Sequence, residues 1–207
     1  ADIDSDVDAR TILDTGVRAI QLHTGGMCHL DAYMTEQGLD ELVRGAEDAA
    51  HADAAAGDAV EAGAECPAGS TDEEAVASSA VPVKAAGTGD PAGASVDLAI
   101  LENVGNLVCP AEFDTGASAN AMILSVPEGD DKPLKYPLMF SICDVVLVNK
   151  IDALPVFDTF SMERVRESIL MRNPNATIIP ISAKTGEGID EWADWLRAQV
   201  AAWKASA

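Results

Sequence analysis

Basic residues are scarce in this 207-residue chain, which carries 13 Lys and Arg against 35 Asp and Glu and has a formal net charge of −22. A surface with this charge repels nucleic acid and anionic membranes, so both are excluded as partners. No apolar run approaches the roughly 18 residues of a transmembrane helix. The Lys-poor acidic surface is typical of adaptation to a salty cytoplasm, where ions screen self-repulsion, although one acidic insert would skew the count in the same way.

Cysteine is also sparse, and the four cysteines at 28, 66, 109 and 143 show no paired spacing. The first residues, ADIDSDVDAR, are acidic and polar and do not resemble a signal peptide. We therefore expect thiols in a cytoplasmic protein rather than a disulfide framework. The chain has no initiator Met, which suggests that it begins partway into a longer protein.

Aromatic residues are absent from residues 45–95, which consist mainly of Ala, Gly, Asp and Glu with a single Lys. Such a segment buries too little apolar surface to offset the entropy lost on ordering it. We predict a flexible acidic insert here, with transient helix over parts such as 46–64 because Ala favours helix. The insert would divide one folded domain into residues 1–44 and 96–207.

The rest of the chain alternates between strand-like and helix-like stretches. Compact apolar runs of this kind predict strands buried on both faces of a parallel sheet. The predicted strands cover residues 17–22, 96–102, 121–126, 144–149 and 176–181. With helices between them, the pattern predicts an α/β, doubly wound fold with a mostly parallel sheet and helices on both faces.

Helices are predicted over residues 6–16, 30–43 and 161–173, and at the carboxyl terminus. The third would begin at an N-cap, Ser161, and end at Asn173 before a proline. In the last, an apolar stripe recurs at helical spacing, which predicts core packing. Its members are Ile189, Trp192, Leu196, Val200 and Trp203.

Two polar motifs follow the last two predicted strands, at positions where open α/β sheets bind ligands. The first is N-K-x-D and the second is S-A-K. Their residues are Asn149, Lys150 and Asp152, then Ser182, Ala183 and Lys184. A fixed aspartate can accept two hydrogen bonds from the guanine edge, the lysine stems can cover the faces of the base, and the alanine N–H can meet the guanine carbonyl. The pair predicts guanine recognition.

A phosphate loop of the form G-x-x-x-x-G-K-[ST] is missing from the sequence, and the Gly-rich residues 87–95 contain no Lys. In this fold the loop follows the first strand and would lie upstream of Ala1. We therefore expect a sheet that is incomplete at the N-terminus and no catalytic residue in this chain. As written, the chain should bind GTP poorly and hydrolyse it hardly at all.

Five motifs occur in a characteristic order: TGGMCHLDA, ENVGNLVCPAEFD, SVPEGDDKPLKYPLMF, VNKID and SAKTGEG. Together they resemble the hydrogenase nickel-incorporation GTPases of the HypB type, over roughly 1–44 and 96–203. The resemblance implies a P-loop NTPase-like GTP hydrolase that binds Mg²⁺ and dimerises with its nucleotide. It also implies delivery of Ni²⁺ to a hydrogenase large-subunit precursor, alongside a small nickel- and zinc-binding maturation partner.

The resemblance also assigns site residues. Its metal ligands fall on Cys28, His29 and Cys109, and its Mg²⁺-linked acids fall on Asp2 and Glu102. Two lysines lie in a segment expected to reach across the dimer towards the nucleotide, Lys132 and Lys135. Because the phosphate loop is missing, two alternatives stay open: a metal-binding dimer or nickel carrier without GTPase activity, and a gene fragment that folds poorly.

Thiolate and neutral imidazole favour Zn²⁺ and Ni²⁺, but two thiols and one imidazole are one ligand short of a tetrahedral site. Two copies across a dimer axis would complete it. Because side chains alternate along a strand, Cys28 and His29 need a loop or a helix start to face one ion, or else serve different ions. Alternatively, Cys28 and Cys109 are small buried hydrophobes. That interpretation is favoured for Cys143, and His23, at a strand end, is a weaker ligand candidate.

Overall fold

The described residues of the computed structural model are 7–24, 26–55 and 96–206, with side chains of 45–55 excluded. The chain divides into two compact units, Ala1–Val104 and Gly105–Ala207. Residues 56–95 of the predicted insert lie outside the described part of the chain. The predicted division into one domain, 1–44 and 96–207, and an insert stays a prediction.

The first unit contains two helices, α1 at Val7–Leu13 and α2 at Ala32–Ala55. A turn follows α1 and ends at Gly16, which has a φ of +84°, so the predicted helix stop is confirmed. Oδ1 of Asp31 accepts a hydrogen bond from the Met34 N–H at 2.9 Å and so satisfies one of the unpaired amides at the start of α2. This helix continues through the Ala-rich residues after 44, in keeping with the helix preference of Ala.

Two predicted strands of this unit are wrong. Residues 17–22 and 96–102 form neither helix nor strand. Three of their large apolar side chains are exposed: Val17 at 58%, Leu98 at 45% and Ile100 at 74%. Strand preference takes effect where side chains pack on a half-buried pleated surface, and these partly exposed runs do not form such a surface.

The second unit is built on three parallel strands: β1 at Ala121–Ser125, β2 at Val145–Asn149 and β3 at Thr177–Pro180. Their order is β1-β2-β3. The register pairs Ser125 with Asn149 and Val148 with Pro180, so the carboxyl ends of the strands lie at one edge. The sequence predicted all three strands from their apolar runs, and β2 is the most deeply buried of them.

Five α-helices and two 3₁₀ helices surround this sheet within the described residues. The α-helices are α3 at Cys109–Glu112, α4 at Lys132–Lys135, α5 at Pro137–Ile142, α6 at Met162–Arg172 and α7 at Ile189–Ser206. The 3₁₀ helices are Val126–Glu128 and Ile151–Val156. Ser161 caps α6 by accepting a hydrogen bond from the Arg164 N–H at 3.2 Å, and Asn173 ends it, as predicted.

Helices cover both faces of the sheet, as predicted. On one face, β-strand residues such as Val146 and Val148 pack with Phe140 of α5 and Ile169 of α6. On the other face, three strand residues, Val145, Leu147 and Ile179, pack under α7 together with Ile181, which follows β3. None of the described helices combines the length and the apolar character that crossing a membrane requires.

The predicted core stripe of α7 is only partly correct. Ile189, Trp192 and Trp195 pack on the sheet, and the two tryptophan rings stack with centroids 5.4 Å apart. Trp203, however, is 61% exposed. A helix of 18 residues is about 27 Å long whereas a strand of five residues spans about 17 Å, so the end of α7 runs beyond the sheet.

Candidate functional site

The loops after β2 and β3 meet at the carboxyl edge of the sheet, and the side chain of Asn149 joins them. Its Oδ1 accepts hydrogen bonds from the Lys150 N–H at 2.7 Å and from the Ala183 N–H at 3.2 Å. Between the same loops, the Ile151 N–H donates to the Ile181 carbonyl at 3.2 Å. The two predicted motifs therefore form one connected structure.

A second link joins Ser182 to Asp152. The Ser182 hydroxyl donates to Oδ1 of Asp152 at 2.7 Å and accepts from the Thr185 N–H at 3.1 Å. Ser182 is completely buried whereas Asp152 is exposed. The carboxylate is thus held at one oxygen by a buried hydroxyl while remaining accessible from solvent.

Backbone conformation shapes both loops. Lys150 adopts φ 64° and ψ 37°, the left-handed region, and is the only non-Gly residue with positive φ in the described ranges. This conformation costs a lysine about 1–2 kcal/mol, a strain that concentrates at functional sites. Gly188 has a φ of +75°, and a Cβ there would lie 2.2 Å from the Pro180 carbonyl oxygen. Only glycine therefore fits where the second loop returns to the sheet.

The loop after β1 lies next to the N-K-x-D loop, since the 3₁₀ helices Val126–Glu128 and Ile151–Val156 are in contact. Two lysines of the first of these loops have neighbours within it. Lys135 pairs with Asp131 at 2.5 Å, and the Lys132 ammonium lies 5.4 Å from the centroid of the Tyr136 ring. Their predicted reach across a dimer stays a prediction.

Asp130 anchors this loop to the start of α6, a feature that the sequence analysis missed. Its Oδ2 accepts hydrogen bonds from the Ser161 N–H at 2.8 Å and from Nε and Nη2 of Arg164 at 2.9 and 2.6 Å. Burial raises the pKa of Asp130, but these hydrogen bonds and the charge of Arg164 together hold the pKa below its ordinary value. An aspartate and an arginine 34 positions apart carry no local pattern that could have indicated the pair.

Cys28 and His29 lie in a bend, and their side chains point to the same place. Cys28 Sγ is 3.9 Å from His29 Nδ1. Because this distance is shorter than the sum of a Zn–S and a Zn–N bond, about 4.3–4.4 Å, one ion can touch both atoms. The two donors therefore fit a borderline transition metal. The bend in the backbone allows the side chains of these neighbouring residues to face one ion.

Cys109 is the first residue of α3 and is half-buried. In the described ranges, no group of three or more His, Cys, Asp and Glu side chains is arranged to hold a metal ion. The assignment of Cys109 beside Cys28 and His29 as a ligand stays a prediction, as do the roles of Glu102, which is exposed, and of Asp2, which lies outside the described residues.

Cys143 is a core residue. It is buried, and its Sγ lies 3.8 Å from the Met139 Sδ. Burial, with a smaller effect from the charge of Asp144, raises the pKa of this thiol to about 12. A thiol that stays protonated is a poor metal ligand, which agrees with the packing role favoured from the sequence. His23 is half-buried in a segment that forms no strand.

Comparisons with known proteins agree with this architecture. A parallel sheet with N-K-x-D and S-A-K loops at its carboxyl edge defines an α/β nucleotide-binding domain of the P-loop NTPase class. The family described as CobW/HypB/UreG, nucleotide-binding domain, matches residues 2–180. The chain therefore belongs to this family, and the predicted fold class is confirmed.

Among curated relatives, the chain is 37% identical to the hydrogenase maturation factor HypB of Azotobacter vinelandii, over 96% of this chain and 49% of the relative. It is 42% identical to the HypB of Cupriavidus necator, over 97% of this chain and 52% of the relative. The chain thus spans about half the length of the curated relatives that it matches.

Two solved structures are also similar. HypB from Helicobacter pylori in complex with nickel superposes with a TM-score of 0.69 at 31% identity, covering 96% of this chain and 71% of that one. HypB from Archaeoglobus fulgidus superposes with a TM-score of 0.58 at 28% identity, covering 86% of this chain and 67% of that one. Both likenesses place the chain beside hydrogenase maturation factors.

Proposed function

We propose that this chain is the guanine-reading and metal-binding part of a nickel-delivery accessory GTPase, which serves the maturation of [NiFe]-hydrogenase or a related nickel enzyme. The observation that carries the proposal is the hydrogen-bond network of Asn149, Asp152, Ser182 and Ala183 at the sheet edge. Relatives named hydrogenase maturation factors support it.

Guanine recognition follows from the chemistry of these loops. Asp152 would accept hydrogen bonds from the N1–H and the exocyclic amine of guanine, which adenine does not offer. The Ala183 N–H donates to Asn149 Oδ1 at 3.2 Å, so it would exchange this acceptor for the guanine carbonyl when the nucleotide binds. The stems of Lys150 and Lys184, both exposed, would cover the faces of the base.

Other residues would contact the phosphates and Mg²⁺. Glu102 and Asp2 are proposed as the Mg²⁺-linked acids, and Lys132 and Lys135 as contacts to the nucleotide of a partner copy. Homodimerisation that depends on the nucleotide would then couple GTP binding to metal binding. For this coupling, GTP must bind the dimer and the monomer with different affinities, because only such a difference shifts the equilibrium between them.

The metal, Ni²⁺ as cargo or Zn²⁺ in its place, would be held by Cys28, His29 and Cys109. The 3.9 Å approach of Cys28 Sγ and His29 Nδ1 supports a shared ion. These three assigned donors are one short of four-coordination, so a second copy would supply the remainder. A small nickel- and zinc-binding maturation protein and the hydrogenase large-subunit precursor would be the donor and the acceptor of the cargo.

Asp152→Asn tests the guanine assignment. The asparagine amide can still accept from Ser182 and from the N1–H, but it presents an amine to the exocyclic position, where xanthine offers a carbonyl. Affinity for GDP, measured with a fluorescent analogue, should fall by about tenfold or more, and affinity for xanthosine diphosphate should rise. Equal affinities of wild type and variant for both nucleotides would refute guanine recognition by this loop.

Cys28→Ala and Cys109→Ala test the metal assignment, with Cys143→Ala as the matched control. Ni²⁺ and Zn²⁺ affinities, measured by competition with a chromophoric chelator, should fall in the first two variants and stay at the wild-type value in the control. Undiminished affinity in the Cys28→Ala, Cys109→Ala double variant would contradict the assigned ligands. A chain that binds metal but no guanine nucleotide would instead support a nickel carrier without GTPase activity.

A further inference from the structure

Two asparagines of the E-N-V-G-N motif each hold two backbone amides. Oδ1 of Asn103 accepts hydrogen bonds from the Leu30 N–H at 2.9 Å and from the Val104 N–H at 2.8 Å. The first of these bonds joins segments 73 positions apart in the sequence. Leu30 follows His29 directly and is fully buried, so Asn103 fixes the backbone at the point where it leaves the Cys28-His29 bend.

Asn106 makes the corresponding arrangement at the other thiol. Its Oδ1 accepts from the Val108 N–H at 3.0 Å and from the Cys109 N–H at 2.9 Å. The first amides of a helix have no partner within the helix, and Val108, the residue before α3, offers no side-chain cap. Asn106 supplies the missing acceptor, so the backbone of Cys109 itself is held by a neighbouring side chain.

We propose that Asn103 and Asn106 are positioning residues for the metal ligands, Asn103 for the Cys28-His29 bend and Asn106 for Cys109. This inference rests on the proposed metal-binding function. An amide oxygen has two lone pairs and suits the task, because it can accept two N–H groups at once without adding a charge. This role also explains why the E-N-V-G-N motif contains two asparagines, which a Mg²⁺-linked role for Glu102 does not explain.

The physical reason is preorganisation. A thiolate or an imidazole binds a metal well only when its backbone holds it within about 0.5 Å of the bonding position. On the amino-terminal side of the bend, the Met27 N–H donates to the Thr24 carbonyl at 3.2 Å and closes a turn. The hydrogen bond from Leu30 to Asn103 restrains the bend from the carboxyl-terminal side.

The test compares Asn103→Ala and Asn106→Ala with wild type. Asn→Asp variants keep the oxygen and should rescue binding, and Gly105→Ala is the matched control, since a Cβ there meets nothing within 4 Å. Ni²⁺ affinity is measured by chelator competition, and the thiolate-to-nickel charge-transfer absorption reports ligand geometry. We expect each alanine variant to lose about 10- to 100-fold in Ni²⁺ affinity and to change the absorption, with GDP affinity unchanged.

A double-mutant cycle sharpens the test. If Asn106 acts through Cys109, Asn106→Ala should cost no further Ni²⁺ affinity in a Cys109→Ala background. Should an alanine variant fail to fold, Asn→Gln replaces it, because glutamine keeps the amide but displaces its oxygen by one methylene. Ni²⁺ affinity should fall for this variant as well.

The outcomes are distinguishable. If Cys28→Ala and Cys109→Ala lose Ni²⁺ affinity whereas the asparagine variants keep it, the positioning role is overturned and the ligand assignment stands. If the asparagine variants lower the thermal midpoint, Ni²⁺ affinity and GDP affinity together, and aspartate rescues none of these, the role is merely structural and the inference is overturned. If the cysteine variants keep their affinity, the proposed metal function fails, and this inference fails with it.

Discussion

Ser182 donates its hydroxyl to Oδ1 of Asp152 at 2.7 Å, so a fully buried residue after β3 orients an exposed carboxylate after β2. The same hydroxyl accepts the Thr185 N–H at 3.1 Å. One small side chain thereby sets both the shape of its own loop and the direction of the group proposed to read guanine. We therefore expect Ser182 to contribute to the proposed nucleotide site as well as to the stability of its loop.

Ser182→Ala should therefore weaken guanine nucleotide binding as well as stability. It removes the donor to Asp152 and leaves the Thr185 N–H without this acceptor, which together should cost about 1–3 kcal/mol of unfolding free energy. GDP affinity should fall about tenfold. Fluorescence titration and urea unfolding check the two effects.

Ser161→Ala is the control for this variant, because it also deletes a hydroxyl that accepts a backbone amide, but at the start of α6. We expect it to cost about 1 kcal/mol of stability and to leave GDP affinity unchanged. If both variants lowered stability alike and neither changed GDP affinity, Ser182 would have no role in the nucleotide site.

Gly188→Ala should destabilise the loop after β3 far more than Gly186→Ala. Both glycines have positive φ, +75° and +84°, so each substitution carries the strain of a left-handed residue, about 1–2 kcal/mol. At Gly188 the new Cβ would also lie 2.2 Å from the Pro180 carbonyl oxygen, whereas at Gly186 it meets nothing within 4 Å. Urea unfolding of both variants measures the difference in unfolding free energy. Equal losses in the two variants would show that the close approach to the Pro180 carbonyl does not destabilise the protein.

Asp130→Asn should change how stability depends on pH. Because the folded pKa of Asp130 lies below its ordinary value of 3.8, its contribution is present above that value and is lost as pH falls through the folded pKa. At pH 7 the variant should be less stable by about 1 kcal/mol, since the partner Arg164 is largely exposed and screened by solvent. Below about pH 4 the difference between the two proteins should shrink.

Denaturant unfolding of both proteins across pH 2–7 measures this effect. Arg164→Ala should shrink the acid dependence in the same way, because it removes the charge that lowers the pKa of Asp130. If the difference in unfolding free energy between wild type and Asp130→Asn were the same at every pH, the ion pair with Arg164 would not be coupled to the titration of Asp130.

Salt should stabilise this protein. A net charge of −22 makes the folded chain repel itself, and raising KCl from about 0.1 to 1 M shortens the screening length from about 10 to 3 Å. We expect the thermal midpoint to rise by more than about 4 °C, equivalent to about 1 kcal/mol or more in a protein of this size. Differential scanning fluorimetry in KCl and in sucrose of equal osmolality checks it, and an equal rise in both would assign the effect to excluded solutes rather than to charge.

The sequence was informative where burial and local chemistry agree. The apolar runs at 121–126, 144–149 and 176–181 became strands, and the central one, β2, is buried on both faces of the sheet. It was misleading at 17–22 and 96–102, where apolar runs form no strand. Whether an apolar run pairs depends on neighbours that its own residues do not specify.

By itself, the sequence predicted the type of each site: two motifs after strands that we propose to read guanine, and thiols and an imidazole suited to a borderline metal. Only the tertiary structure decided how these groups are held. Asn149 and Ser182 join the two loops, Cys28 and His29 face each other across 3.9 Å, and Asn103 reaches an amide 73 positions away. The type of chemistry follows from residue identity, whereas the position of each group follows from hydrogen bonds between distant segments, which leave no periodic signal in the chain.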